Sequence, residues 1–130
     1  MIQKINHIGI IVRDLEESAK KFQECTGLKV TRIEELDDWK SKMAFFECGE
    51  VLIELIEPTG EGDGMTFLKE KGGGVHHICF QVDDIQKTFD ETGARFTLKS
   101  DSPRPAAGGS TAFFVDEKET DNIIIEFMAE

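Results

Sequence analysis

The sequence predicts an α+β fold built from two tandem βαβββ modules, residues 1–60 and 72–130, within one domain of 130 residues. Three observations carry this. The segment Asn6-His7-Ile8-Gly9-Ile10-Ile11-Val12-Arg13-Asp14-Leu15 aligns without a gap on His76-His77-Ile78-Cys79-Phe80-Gln81-Val82-Asp83-Asp84-Ile85. Further matches keep the same order: Ala44-Phe45-Phe46 with Ala112-Phe113-Phe114, and Leu52-Ile53-Glu54-Leu55 with Ile124-Ile125-Glu126-Phe127. The spacing is nearly constant, since His7 and Glu54 lie 47 positions apart and His77 and Glu126 lie 49 apart. A duplicated supersecondary unit is the economical account of all three.

Each module opens with a strand. Alternation sends Ile8, Ile10 and Val12 to one face and His7, Gly9 and Ile11 to the other. The counterpart strand opposes Ile78, Phe80 and Val82 to His77, Cys79 and Gln81. A helix follows: Asp14 caps it with Glu17 completing a capping box, Leu15, Ala19 and Phe22 share one face, and Gly27 stops it. Asp84, Ile85, Phe89 and Gly93 repeat these signals. The segments Ser41–Cys48, Val51–Ile56, Thr111–Val115 and Ile123–Met128 are β-rich and bounded by turn or charged residues. Between the modules, Pro58 to Gly64 and Gly72-Gly73-Gly74 read as connecting turns around a short helix, Met65 to Lys71. These glycines lack the Lys-Ser/Thr of a phosphate loop.

Composition narrows the function classes. The formal charge of -11 opposes general binding to a polyphosphate backbone, although a local basic patch could still receive an anionic small molecule. The start has no continuous apolar stretch followed by a cleavage site, and no stretch reaches the length of a membrane span, so the expected location is the cytoplasm. Cys25, Cys48 and Cys79 are odd in number and far apart, which predicts buried, reduced thiols. Glu47, Glu57 and the acidic run Glu34-Glu35-Leu36-Asp37-Asp38 read as solvated loop charges.

Modules closed side by side would bring His7, Glu54, His77 and Glu126 to one concavity, and these residue types form a metal constellation. A lone strand histidine is more often structural than a ligand. Glu54 and Glu126, however, sit inside apolar strands, where an unmet carboxylate is costly. Imidazole and carboxylate suit Co, Ni, Mn or Zn, and four protein ligands in an octahedral set leave two positions for water or substrate oxygens. His76 falls in the other phase of its strand and is a neighbour of His77, not a ligand.

The residues His7-Ile8-Gly9-Ile10, Ile53-Glu54-Leu55-Ile56-Glu57-Pro58, Gly73-Gly74-Val75-His76-His77-Ile78-Cys79-Phe80 and Ile124-Ile125-Glu126-Phe127 resemble the vicinal oxygen chelate (glyoxalase/bleomycin resistance/dioxygenase) superfamily over essentially the full chain. Within it they resemble the methylmalonyl-CoA epimerases most closely, with glyoxalase I enzymes as near relatives. The resemblance implies an open, cup-shaped mixed sheet around a divalent metal held by His7, Glu54, His77 and Glu126. It implies 1,1-proton transfer on an acyl-CoA through a metal-stabilised enolate, with Glu126 as one acid-base group. The second falls on Asp38, with Asp37 beside it; the Gly-Val of the family pattern is absent there and the carboxylate is one methylene shorter. Ala107, Gly108, Gly109 and Ser110 resemble the loop that lies over the acyl group. Arg104, Lys40 and Lys42 are the expected local cations for a CoA phosphate or substrate carboxylate. A homodimer is expected by the same likeness.

Other functions share the fold. A glyoxalase I-like lactoylglutathione lyase would use the same quartet, but the Asp-Pro-x-Gly-Tyr/Phe-type approach to the last ligand strand is replaced by Asp116-Glu117-Lys118-Glu119-Thr120-Asp121-Asn122. A non-catalytic binding or resistance protein would usually lack the full ligand set. Ring-cleaving dioxygenases use two histidines and one carboxylate and usually add a tyrosine, and the chain has no Tyr.

Overall fold

Strand β1 (Ile2–Ile11) takes part in both halves of the molecule. The computed structural model describes residues 1–130. Contacts divide them into two units, one of residues His7–His76 and the other of Met1–Asn6 together with His77–Glu130.

In the His7–His76 unit, α1 (Leu15–Thr26) leads to β2 (Val30–Leu36), β3 (Ser41–Cys48), β4 (Val51–Pro58) and α2 (Asp63–Lys71). The strands lie in the order β2-β3-β4-β1. β4 runs parallel to β1, with Gly9 opposite Glu54, and antiparallel to β3, with Phe45 opposite Glu54. Directly opposed residues share a face, so this register sorts the unit into two surfaces. Ala44, Phe46, Ile53 and Leu55 face α1, where Leu15 and Ala19 complete a buried cluster joined by Ile10, Phe22, Leu28 and Val30. The Phe22 and Phe46 ring centroids are 4.7 Å apart. His7, Glu54, Phe45, Met43, Ile11 and Ile56 take the other surface.

Local chemistry sets the ends of α1 as expected. The Asp14 carboxylate accepts the Glu17 backbone N–H at 3.1 Å, and Gly27 closes the helix at φ 78°. Glu57 is not the solvated loop charge that the sequence suggests. It lies half-buried in β4 and accepts the Leu15 backbone N–H at 2.7 Å, placing a carboxylate at the helix N-terminus, where the dipole favours it. Glu34, Glu35 and Leu36 likewise belong to β2 and not to a loop; only Asp37 and Asp38 turn off, into a 3₁₀ turn over Asp37–Trp39.

The second unit carries β5 (His77 onward within Gly74–Val82), α3 (Ile85–Gly93), β6 (Arg104–Pro105), β7 (Thr111–Phe114) and β8 (Ile125–Ala129), in the order β5-β8-β7-β6. Its register repeats the first: β5 is parallel to β8 with Cys79 opposite Glu126, and β7 is antiparallel to β8 with Phe114 opposite Glu126. α3 covers the aromatic face. Phe89 meets Phe113 edge-on at 5.1 Å, and Phe113 stacks on Phe127 at 5.3 Å. Asp84 caps α3 through the Lys87 N–H at 3.0 Å, but Gly93 lies inside the helix and the chain leaves through Ala94 in a right-handed conformation. β8 starts at Ile125, two residues later than the sequence suggests, because Asp121 and Asn122 adopt left-handed conformations in the preceding turn.

α2 begins two residues earlier than the hydrophobic pattern indicates. The glycines after it are structural: at Gly73, φ is 106° and an added Cβ would lie 2.9 Å from the Ile11 carbonyl oxygen. No helix is long and apolar enough to cross a membrane.

Two substitutions test this architecture by urea unfolding. Phe46→Ala removes a ring with 0% exposure between α1 and the sheet and should cost about 3–5 kcal/mol. Gly73→Ala should cost about 1–3 kcal/mol, from strain at positive φ together with the close approach to Ile11.

Candidate functional site

Each unit buries one histidine beside one glutamate. In the His7–His76 unit, His7 and Glu54 are 8% and 5% exposed, and Nε2 of the first lies 3.3 Å from Oε2 of the second. The arrangement follows from sequence parity. His7 is two residues from Gly9, Gly9 pairs with Glu54, and all three therefore project to the surface that α1 does not cover. Phe45 and Met43 lie beside them, 2% and 3% exposed, so the carboxylate stands in apolar surroundings where charge interactions are strong.

The second unit repeats the geometry. His77 Nε2 lies 3.1 Å from Glu126 Oε1, and both residues are buried. The Phe114 ring stands edge-on to the His77 imidazole at 5.4 Å and holds its orientation. Cys79, Ala112 and Met128 form the apolar floor on this face.

An imidazole nitrogen and a carboxylate oxygen held about 3 Å apart put one N and one O donor within reach of a single ion. That donor type fits a borderline divalent ion such as Co, Ni, Mn or Zn. The pairs also occupy related places in the chain: the backbone passes between units at Asn6/His7 and again at His76/His77, so each histidine is the first residue after a crossing, on an unbroken strand. Side-chain amides tie the start of β1 to β5 within the second unit. Asn6 Nδ2 donates to Gln81 Oε1 at 3.0 Å, and Gln81 Nε2 donates to Gln3 Oε1 at 3.1 Å.

The other expected site residues are distributed as follows. Asp38 is exposed on the 3₁₀ turn before β3. Ser41, the first residue of β3, pairs with Pro58, four residues along β4 from Glu54, or about 13 Å of strand. Ala107, Gly108, Gly109 and Ser110 form the turn of the β6–β7 hairpin. Ser110 is buried and its hydroxyl donates to the Ala107 carbonyl at 2.6 Å. Ala106 packs on Cys79, Ala112 and Met128, which sets this turn on the Glu126 face. Arg104, opposite Ala112, shares that face, and Lys40 lies at the end of the Asp38 turn with its side chain over Gly60.

Lys42 differs from expectation. It belongs to the surface covered by α1, with Ala44 and Phe46, and cannot serve a ligand on the Glu54 surface. Arg32 does occupy the Glu54 surface and was not indicated by sequence; the cause is a bulge in β2 that shifts the register between Val30 and Arg32. His76 is half-buried and edge-on to Phe67 at 4.8 Å, in keeping with a neighbour's role. The cysteines correct the reading of three buried thiols, since only Cys79 is buried and Cys25 and Cys48 are exposed.

Paired βαβββ units, each presenting a buried histidine and glutamate on one sheet face, define a class. The chain belongs to the Glyoxalase/Bleomycin resistance protein/Dioxygenase superfamily, whose family model matches residues 6–114. Among individual proteins, it is 34% identical to the ethylmalonyl-CoA/methylmalonyl-CoA epimerase of Cereibacter sphaeroides, over 97% of each chain. It is 32% identical to a probable lactoylglutathione lyase of Vibrio cholerae, over 96% of this chain and 89% of that one. The fold is that of the Streptomyces coelicolor methylmalonyl-CoA epimerase solved with 2-nitronate-propionyl-CoA, with a TM-score of 0.92 at 24% identity over 100% of this chain and 99% of that one.

Thiol chemistry checks the assignment of burial. Cys25 and Cys48 should react with Ellman's reagent in the folded protein, and Cys79 only after denaturation; three equivalents released from the native state would contradict the buried floor beneath Glu126.

Proposed function

We propose that this protein epimerises methylmalonyl-CoA, with His7, Glu54, His77 and Glu126 together holding one divalent cation. The observation that carries the reading is the burial of two equivalent histidine–glutamate pairs on the sheet faces away from the helices, in a chain 34% identical to an epimerase over nearly its whole length. Such a cation, when bound, supplies positive charge to the thioester oxygen as the neighbouring carbon loses its proton.

The protein's own groups then have a limited task. Epimerisation breaks the C2–H bond, leaves the electron pair delocalised into the thioester, and re-forms a C–H bond from the opposite face. Glu126 is assigned one proton transfer and Asp38 the other. Support for Glu126 is its burial beside His77, in surroundings that exclude water. Support for Asp38 is the resemblance of its segment alone. The turn formed by Ala107, Gly108, Gly109 and Ser110 is assigned to cover the acyl group, and its packing through Ala106 onto the Glu126 face supports this. The unpaired outer edges of β2 and β6 offer surfaces for the homodimer expected by family likeness.

A lactoylglutathione lyase is the second reading, favoured by the Vibrio cholerae relative. Incubation of metal-loaded protein with methylmalonyl-CoA in deuterated water, beside a hemithioacetal assay, separates the two. Deuterium entering C2 without lyase turnover is expected, and the reverse result would replace the epimerase reading.

Apoprotein should take up about one divalent ion per chain. His7→Ala and Glu126→Gln should each weaken uptake more than about tenfold, a scale that even changes outside the ligand shell reach. Asp38→Asn should abolish interconversion of the two epimers while leaving unchanged the metal content and the deuterium exchange of the one epimer whose C2–H faces Glu126; an unaltered rate of interconversion would remove Asp38 from the mechanism.

A further inference from the structure

We infer that Arg32 is a specificity-determining residue that receives an acyl carboxylate of the ligand at the outer side of the Glu54 surface. The inference rests on the acyl-thioester reading above and adds a group to it.

The sequence of β2 alone would turn Arg32 the other way. Val30 pairs with Phe46, on the α1 surface, and strict alternation would send Arg32 to that surface too. The bulge inserts Thr31, whose hydroxyl donates to the Phe45 carbonyl at 3.2 Å, and Arg32 then pairs with Phe45 itself. Gly9, Glu54, Phe45 and Arg32 consequently form one row across four strands, all on the surface opposite α1. Bulges commonly re-aim a side chain in this way beside functional sites.

The re-aimed guanidinium is held in place. Its central carbon sits 4.1 Å above the Phe45 ring centroid, a cation–π contact with a ring that is itself 2% exposed. Glu34 meets it at Nε, 3.6 Å away, and no hydrogen bond from the protein takes its terminal nitrogens. A planar fork fixed on one edge and open on the other suits a carboxylate. Arg32 lies two strand spacings from Glu54, about 10 Å between backbones, and the two side chains close part of that gap. An oxygen ligated near Glu54 and a carboxylate on the adjoining carbon would span the remainder, whereas the phosphates of a coenzyme lie a full pantetheine arm away.

Binding calorimetry on metal-loaded protein tests this with methylmalonyl-pantetheine and isobutyryl-pantetheine, which differ only by carboxylate against methyl and carry no phosphate. Wild type should prefer the carboxylated thioester. Arg32→Gln should reduce binding of that ligand about tenfold to a hundredfold and leave isobutyryl-pantetheine unchanged, with Arg32→Lys between the two. Circular dichroism and metal content, equal to wild type, exclude misfolding as the cause. An equal preference in wild type and Arg32→Gln, or no preference in wild type, would overturn the inference. So would an effect of Arg32→Gln confined to coenzyme A thioesters, which would make a phosphate the partner. Deuterium exchange by wild type on methylmalonyl-CoA is scored separately: its absence defeats the epimerase reading and leaves the carboxylate preference measurable.

Discussion

A carboxylate inside an apolar strand must be met by something, and that constraint organises both halves of this molecule. Glu54 and Glu126 are each flanked by isoleucine, leucine or phenylalanine in sequence and buried in the fold. Leaving either charge unmet in such a place would cost several kcal/mol, a large part of the net stability of a domain this size. Each is instead placed about 3 Å from an imidazole nitrogen. The histidine partly answers the burial, and together the two groups become a donor pair suited to a cation. Under the proposed function, stability and chemistry therefore make the same demand on these four residues.

The division of each sheet into a helix-covered face and a site face follows from period-two geometry, and for that reason it was legible in the sequence. His7 and Glu54 share a parity through the Gly9–Glu54 pairing, as His77 and Glu126 do through Cys79–Glu126. The duplicated spacing of 47 and 49 residues carries the same parity. Helix α1 was legible because its caps are local chemistry: Asp14, Glu17 and Gly27 act within a few residues of themselves. Less legible were features set by partners distant in sequence. Glu57 reads as a surface charge until β4 is seen to end beside the first turn of α1, 42 residues earlier. Cys25 and Cys48 sit among apolar neighbours in sequence but at the exposed ends of α1 and β3, so local composition misjudged their burial.

Arg32 shows the same limit from the functional side. A single inserted residue, Thr31, inverts the facing of everything before it in β2 relative to everything after. Propensity and pattern cannot locate a bulge of this kind, because Val30-Thr31-Arg32-Ile33 is acceptable strand sequence in either phase. The consequence is chemical: one phase puts the guanidinium among the lysines and glutamates outside α1, the other stacks it on Phe45 beside Glu54.

The duplication is also incomplete in a way that bears on what the site can distinguish. Both modules supply a histidine, a glutamate and an aromatic neighbour, Phe45 or Phe114, directly opposite the glutamate. Beyond that row they diverge. The first module continues into a full strand, β2, carrying Arg32 and Glu34, while the second reduces the equivalent position to two residues, Arg104–Pro105, and a tight turn closed by Ser110. Repetition gives each unit like donors, one buried histidine and one buried glutamate. Telling the ends of an unsymmetrical ligand apart requires unlike surroundings. The guanidinium stacked on Phe45 in one unit and the tight, glycine-rich turn in the other are unlike surroundings of that kind, so under the proposed function recognition is expected to reside where the two copies have departed from one another.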